Sequence, residues 1–318
     1  MEILNFSKNC VERAKKIALM NYNEERAAVA VLPEISVLPD FELEHFADNG
    51  LGVAMFDGGE MLGFLCCYEP WDNAFNSTAK GTFSPIQAHG AIYENRGMIY
   101  KKLYQAAAEK WVHHKITCHA IALYAHDSQA IDAFFTYGFG LRCIDAVRPL
   151  VAVEHEPCDG IIFSELAKSE SSALREMRKL QAAHLGESPC FMSSSPDDLK
   201  NWINRAENRN SREFIAVDAK RDKPIAFIEI TDDGENFATE VNGMMNICGA
   251  FCLREYRGKG VVQGLLNHAV SVLKAEGYDS LGVDFESFNP TAIGFWLKYF
   301  SAYTNSVVRR IDECALLD

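Results

Sequence analysis

The feature that most constrains this chain is an order of segments written twice. In the first half, residues 6–26 set charged side chains between apolar positions at helical spacing. A strand–turn–strand follows, with Asp57-Gly58-Gly59 as its turn, because glycine tolerates the positive φ of a tight hairpin. The pattern then predicts a strand near 83–92, a helix over about 98–113 and a strand over 118–126. A helix over 128–137 and a strand near 141–153 complete this half. Glu154-His155-Glu156-Pro157 interrupts the pattern as a linker. Afterwards the order recurs: a strand over 161–166, helices over 171–185 and 196–207, and a hairpin across Lys220-Arg221-Asp222. Ser195 before Pro196 is placed to cap the second of those helices. A strand over 247–256, a long helix from Gly260, a strand over 280–287, a helix over 290–299 and a closing strand from Tyr303 follow. The registers agree as well. Ala130 and Ala292 each open the penultimate helix, and Gly97 and Gly260 each precede the long one. A period of that size means two copies of a whole α/β domain, not a solenoid. The expected boundaries are 1–155 and 156–318.

Composition fits that organisation. At 318 residues, 48% hydrophobic and 24% charged, each half can bury its own core without disulfides or metals. The excess of 44 acidic over 31 basic side chains, a net charge of -13, argues against nucleic acid and favours neutral or cationic partners. No apolar run is long enough to span a membrane, and the first ten residues lack the pattern of a secretory signal. The ten cysteines are scattered, and neither Cys66-Cys67 nor Cys248…Cys252 comes with histidines at zinc spacing. His113-His114 and His119 form no metal-binding helix motif. We expect reduced thiols, a cytoplasmic location and no metal.

Chemistry concentrates at Arg254-Glu255-Tyr256-Arg257-Gly258-Lys259-Gly260-Val261-Val262, between a strand and a helix. Two glycines and a lysine there expose backbone N–H groups at a helix N-terminus, the geometry for holding phosphate oxygens. The spacing is neither a Walker loop nor a dinucleotide fingerprint. The segment resembles the acetyl-CoA-binding motif of the GNAT superfamily of N-acyltransferases, with Arg257, Gly260 and Val262 on the motif positions. Val262 departs from the Gly or Ala usual there. Downstream, Asn289-Pro290-Thr291-Ala292, Phe295-Trp296 and Lys298 resemble the family's second signature. The resemblance covers roughly 161–312 and implies two such domains, each a mixed, mostly antiparallel sheet flanked by helices. It implies acetyl-CoA as cosubstrate, a primary amine as acceptor, and Phe251-Cys252-Leu253 as the strand offering backbone groups to the pantetheine arm.

The first half fits more loosely. Glu94 stands where Arg257 stands, and a carboxylate repels a diphosphate unless Arg96, Lys101 or Lys102 compensates. Asp127, Ala130 and Phe134 echo the second signature, so this half reads as a degenerate copy whose cofactor binding is weakened.

For the reaction, the amine must lose a proton before attacking the thioester, and the departing thiolate must gain one. Alternation puts Asp284 and Glu286 on one face of their strand, and Glu286 is the expected base, with Glu229 as its alternative. Trp296 stands where the family's usual acidic tyrosine would be, so Tyr299, one turn on, or Tyr303 takes that role. Cys252 reads as a buried thiol, not an acyl-enzyme nucleophile. A non-catalytic acetyl-CoA sensor is the rival reading.

Overall fold

Alternating apolar residues and glycine turns set the strands of the first unit. In the computed structural model, which describes residues 1–38 and 40–316, β1 (Glu2–Asn5), β2 (Val53–Asp57), β3 (Glu60–Leu65) and β5 (His89–Ala91) form an antiparallel sheet in the order β1-β2-β3-β5. Gly58 and Gly59, at φ 56° and 89°, close the hairpin. Strand β4 (Gly81–Ser84) runs parallel to β6 (Cys118–Tyr124). The single strand expected near 83–92 is two. Pro85 has no N–H to donate, and the chain turns there with the Ala88 N–H on the Pro85 carbonyl. Four helices accompany these strands: α1 (Val11–Ala28), α2 (Asp40–Asp48), α3 (Arg96–His113) and α4 (Ser128–Thr136). Helix α3 buries Ile99, Tyr100, Leu103, Tyr104, Ala107 and Trp111 at i, i+3/i+4 spacing against Ile121 and Leu123 of β6.

Strand β7 (Gly140–Pro149) leads into the second unit. There β8 (Ile161–Leu166), β9 (Arg212–Asp218), β10 (Lys223–Thr231) and β11 (Met244–Cys252) pair antiparallel in sequence order, and β12 (Ser280–Glu286) adds parallel to β11. Helices α5 (Arg175–Gly186), α6 (Pro196–Asn208), α7 (Val261–Ala275) and α8 (Pro290–Tyr299) flank this sheet. Ser195 caps α6 as expected, its side chain accepting from the Asp198 N–H. Helix α7 comes close to β8 because Gly264 has no side chain: a Cβ there would stand 2.5 Å from the Phe163 ring. Leu174, just before α5, and Met177 within it pack on Ile215 and Phe227.

The compact units do not coincide with the halves 1–155 and 156–318. One holds Met1–Asp145 with the chain from Ala302 on, and the other holds Ala146–Ser301. The reason is the last strand, β13 (Ser301–Arg310), which pairs antiparallel with β6, from Thr304 opposite Tyr124 to Arg310 opposite Cys118. Its Val307 is buried in the first unit's core. Among the described residues no helix is long and apolar enough to cross a membrane.

Candidate active site

A break in strand pairing makes the cavity of the second unit. Opposite β10, strand β11 carries a bulge: Glu229 faces Gly249 but Ile230 faces Ile247, leaving Cys248 as the extra residue. On its other edge β11 pairs with β12 only from Met244–Ile247, opposite Ser280–Val283. Past that point the two strands continue unpaired with each other. The opening holds a cavity of about 390 Å³ floored by Ala250, Phe251 and Cys252. Gln181 and His184 of α5 line one side, Asn289, Phe295, Trp296, Lys298 and Tyr299 of the α8 segment another.

At one end lies the turn into α7. Gly258 and Gly260 both take left-handed φ, 72° and 77°, and Gly260 is the N-cap of a 15-residue helix. The first N–H groups of α7 have no partner within the helix, and its dipole adds positive potential. Arg257 folds back from this turn, donating from Nε to the Cys252 carbonyl at 2.9 Å with its guanidinium 5.5 Å from the Phe251 ring centre. The two glycines differ. No atom lies within 4 Å of a Cβ built on Gly258, whereas one on Gly260 would meet the Glu156 carbonyl at 3.1 Å and Cys158 Sγ at 3.4 Å. Gly258 faces the cavity; Gly260 makes room for the linker.

Of the residues singled out from sequence, Phe251, Cys252, Arg257, Gly258, Val261, Val262, Asn289, Phe295, Lys298 and Tyr299 line this one cavity. Leu253, Lys259, Gly260 and Glu286 do not line it. Asn289 caps α8, its Oδ1 accepting from the N–H groups of Thr291 (3.2 Å) and Ala292 (3.4 Å). The Tyr299 hydroxyl receives Gln263 Nε2 at 3.3 Å, and Lys298 Nζ lies 5.6 Å from its ring centre. Burial pushes the Cys252 thiol up to about 11. Glu286 sits half-buried at the end of β12. Glu229 is sealed in: Ser211 donates to one oxygen at 2.8 Å and the fully buried Arg178 to the other at 3.1 Å.

His184 went unnoticed at the sequence level. The helical period puts Gln181, His184 and Leu185 on one face of α5, but nothing in the sequence says that this face borders a cavity. Its ring lies 6.4 Å from that of Phe251, and Nε2 is 3.2 Å from Thr291 Oγ1. Burial, then the Arg257 charge, hold its pKa below the usual histidine range.

The first unit fills the corresponding place differently. Helix α3 opens at Arg96 after Asn95 at φ 57°, and Arg96 is 3% exposed. Glu24 grips it with both oxygens, at 2.7 and 3.0 Å, and Asp127 at 3.1 Å. Burial opposes the guanidinium's charge, but these carboxylates outweigh it and raise its pKa. Beside them the Glu25 carboxylate takes His126 Nδ1 at 2.7 Å. The polar cavity here, about 340 Å³, is lined by three acidic side chains.

Residues 175–301 match the acetyltransferase (GNAT) family. No curated protein matches the chain. Among solved structures, the GCN5-related N-acetyltransferase from Sphaerobacter thermophilus is 13% identical, with 97% of this chain and 95% of that one covered at a TM-score of 0.60. A tandem GNAT protein from the clavulanic acid biosynthesis pathway is 12% identical, with 97% and 98% covered at a TM-score of 0.48. The first of these likenesses extends the fold of a GCN5-related N-acetyltransferase over nearly the whole chain. The segment that carries the cavity, the turn and both signatures is the one, residues 175–301, that matches the acetyltransferase (GNAT) family.

Proposed function

We propose that the chain is an acyl-CoA-dependent N-acyltransferase. Its second unit binds acetyl-CoA and passes the acetyl group to a primary amine by direct attack in a ternary complex. The observation that carries this reading is one cavity joining a helix N-terminus to the unpaired edge of β11. The α7 turn, with Arg257 and Gly258, suits the diphosphate, and the edge of Ala250–Cys252 suits the amide-bearing arm. Direct attack is favoured because Cys252, held protonated by burial, is a poor nucleophile. Among the described residues there is no cluster suited to a metal ion. Tyr299 is the hydroxyl on α8 placed to protonate the departing thiolate, while backbone N–H groups of the β11 edge would steady the oxyanion. Positioning of amine and thioester supplies much of the rate.

One observation favours the sensor reading: Trp296, which has no titratable proton, occupies the family's usual acid position and is buried against Phe295 and Phe300. Turnover separates the two. Acetyl-CoA is incubated with ethanolamine, putrescine, glucosamine and glycinamide in turn, and free thiol is recorded. Thiol release above the amine-free rate supports the enzyme. CoA binding by calorimetry with no release on any amine supports the sensor.

A further inference from the structure

We infer that His184 is the proton acceptor of this reaction, taking a proton from the acceptor's ammonium group before it attacks; this rests on the acyltransferase reading above. The cavity lining contains no aspartate and no glutamate. Its ionisable side chains are His184, Cys252, Tyr256, Arg257, Lys298 and Tyr299. Arginine and lysine are charged at neutral pH and have no lone pair to offer. Tyr256 is held in its phenol form by its hydrogen bond to Asp218, and burial keeps Cys252 a thiol. With Tyr299 serving as the acid, its hydroxyl accepting from Gln263, that leaves the imidazole as the group in the cavity able to receive a proton near pH 7. Neither carboxylate expected from sequence competes: Glu286 does not line the cavity, and Glu229 is committed to Arg178 and Ser211.

Hydrogen bonding also fixes which nitrogen is basic. Thr291 gives its hydroxyl proton to Asn289 Oδ1 at 2.7 Å, and that oxygen is identified by the backbone N–H groups it accepts at the start of α8. Thr291 Oγ1 therefore presents a lone pair to His184 Nε2, 3.2 Å away, so Nε2 carries the proton and the ring's lone pair is on Nδ1. The groups facing the ring are Arg257 from the turn, which opposes imidazolium; Glu187 past the end of α5 and Asn289 before α8, the latter by a side-chain hydrogen bond, which both favour it; and Thr291 and Phe251. The net effect holds the ring neutral at neutral pH.

The step balances as follows. One ammonium proton moves to Nδ1, and the nitrogen lone pair forms the bond to the thioester carbonyl carbon. The C–S bond breaks, Tyr299 gives its proton to sulfur as CoA thiol and takes the second N–H proton in exchange, and the imidazolium returns its proton to water.

The test uses the full chain, acetyl-CoA and whichever amine of the panel above gives thiol release. In the native protein kcat should fall on the acid side with a midpoint below 6.5, the unperturbed histidine value. His184→Gln, which keeps an N–H for Thr291, should lower kcat about 10²–10⁴-fold and abolish that acid limb. The acetyl-CoA KM should change less than threefold, and the melting temperature by no more than a few degrees. Thr291→Val should keep the imidazole but displace the limb. A His184→Gln protein with native kcat and acid limb overturns the inference while leaving the acyltransferase reading intact, and a matching loss in Glu286→Gln would return the role to that carboxylate. Thiol release with no amine overturns both. Independently, the His184 ring proton resonance should titrate below 6.5 and move when CoA is added; a resonance indifferent to CoA also overturns the assignment.

Discussion

Gly258 and Gly260 look interchangeable in the sequence, two glycines flanking a lysine in a phosphate-binding pattern, yet only one borders the cavity. A side chain on Gly260 would press on the backbone of Glu156 and strain a φ of 77°. Gly260→Ala should therefore cost about 1–2 kcal/mol of stability, read as a lowered denaturant midpoint, with little direct effect on CoA. Gly258→Asp tests the anion site instead, because aspartate tolerates left-handed φ and the space beyond is open. Calorimetry should show CoA affinity falling at least tenfold in a folded protein; unchanged affinity would remove the diphosphate from this turn. Histidines give a second residue-scale expectation. His89 bridges β5 and β6, with Nε2 on the Ala122 carbonyl at 2.6 Å and Nδ1 receiving Tyr100. His119 is bonded to Tyr104 and the Ile116 carbonyl. Burial lowers both to about 4. An unfolded chain takes up these protons near 6.5 and the folded one near 4, so stability is full above 6.5 and drains away down to 4. Each contributes about 3 kcal/mol to that loss, and His89→Gln should flatten the acid limb of the melting-temperature profile. Neither Gly260's packing on the linker nor either histidine's partner was readable from sequence, because each depends on a residue at least three, and up to about a hundred, positions away.

At the scale of elements, α5 shows what periodicity reveals and what it leaves open. The repeat of apolar residues located the helix, and a local motif located the turn before α7. The bulge at Cys248 and the parting of β11 from β12 have no local signature, since they arise from pairing between strands. Hence the turn at one end of the cavity was legible in the sequence and the α5 wall was not. Arg178 on the same helix illustrates the cost of that wall. It is fully buried and binds Glu213 at 2.5 Å, Glu229 at 3.1 Å and the Ser171 backbone. One cation thus joins α5 to β9 and to β10 where β10 faces the bulge. Arg178→Met leaves two buried carboxylates without their partner and should destabilise by about 3–5 kcal/mol. Adding Glu213→Gln and Glu229→Gln should recover much of that loss, because the amides need no counter-charge. A single variant as stable as the native protein would show that the cluster is hydrated and loosely coupled.

For the molecule as a whole, the doubled order of elements raises the question of whether both copies bind CoA. The sequence argument rested on Glu94 in place of Arg257 and left Arg96, Lys101 or Lys102 to compensate. The structure gives Arg96 other work. Its guanidinium is buried and shared between Glu24 and Asp127, so the positive charge nearest the α3 turn is already neutralised. Opening the site would break those pairs and bring a diphosphate towards the Glu24, Glu25 and Asp127 carboxylates lining it. At the second turn Arg257 meets no carboxylate among the described residues; its partners are a carbonyl and an aromatic ring, which a phosphate can displace or join. Calorimetric titration of the full chain should therefore give one CoA per chain. Paired variants make the expectation sharper. Arg96→Ala strands Glu24 and Asp127, so it should lower the melting temperature while leaving CoA affinity within about twofold. Arg257→Ala should do the reverse, weakening CoA at least tenfold with a small change in melting temperature. Two equivalent sites in the native chain, or a CoA affinity that follows Arg96, would mean that the carboxylates yield to the diphosphate and that the first copy still binds.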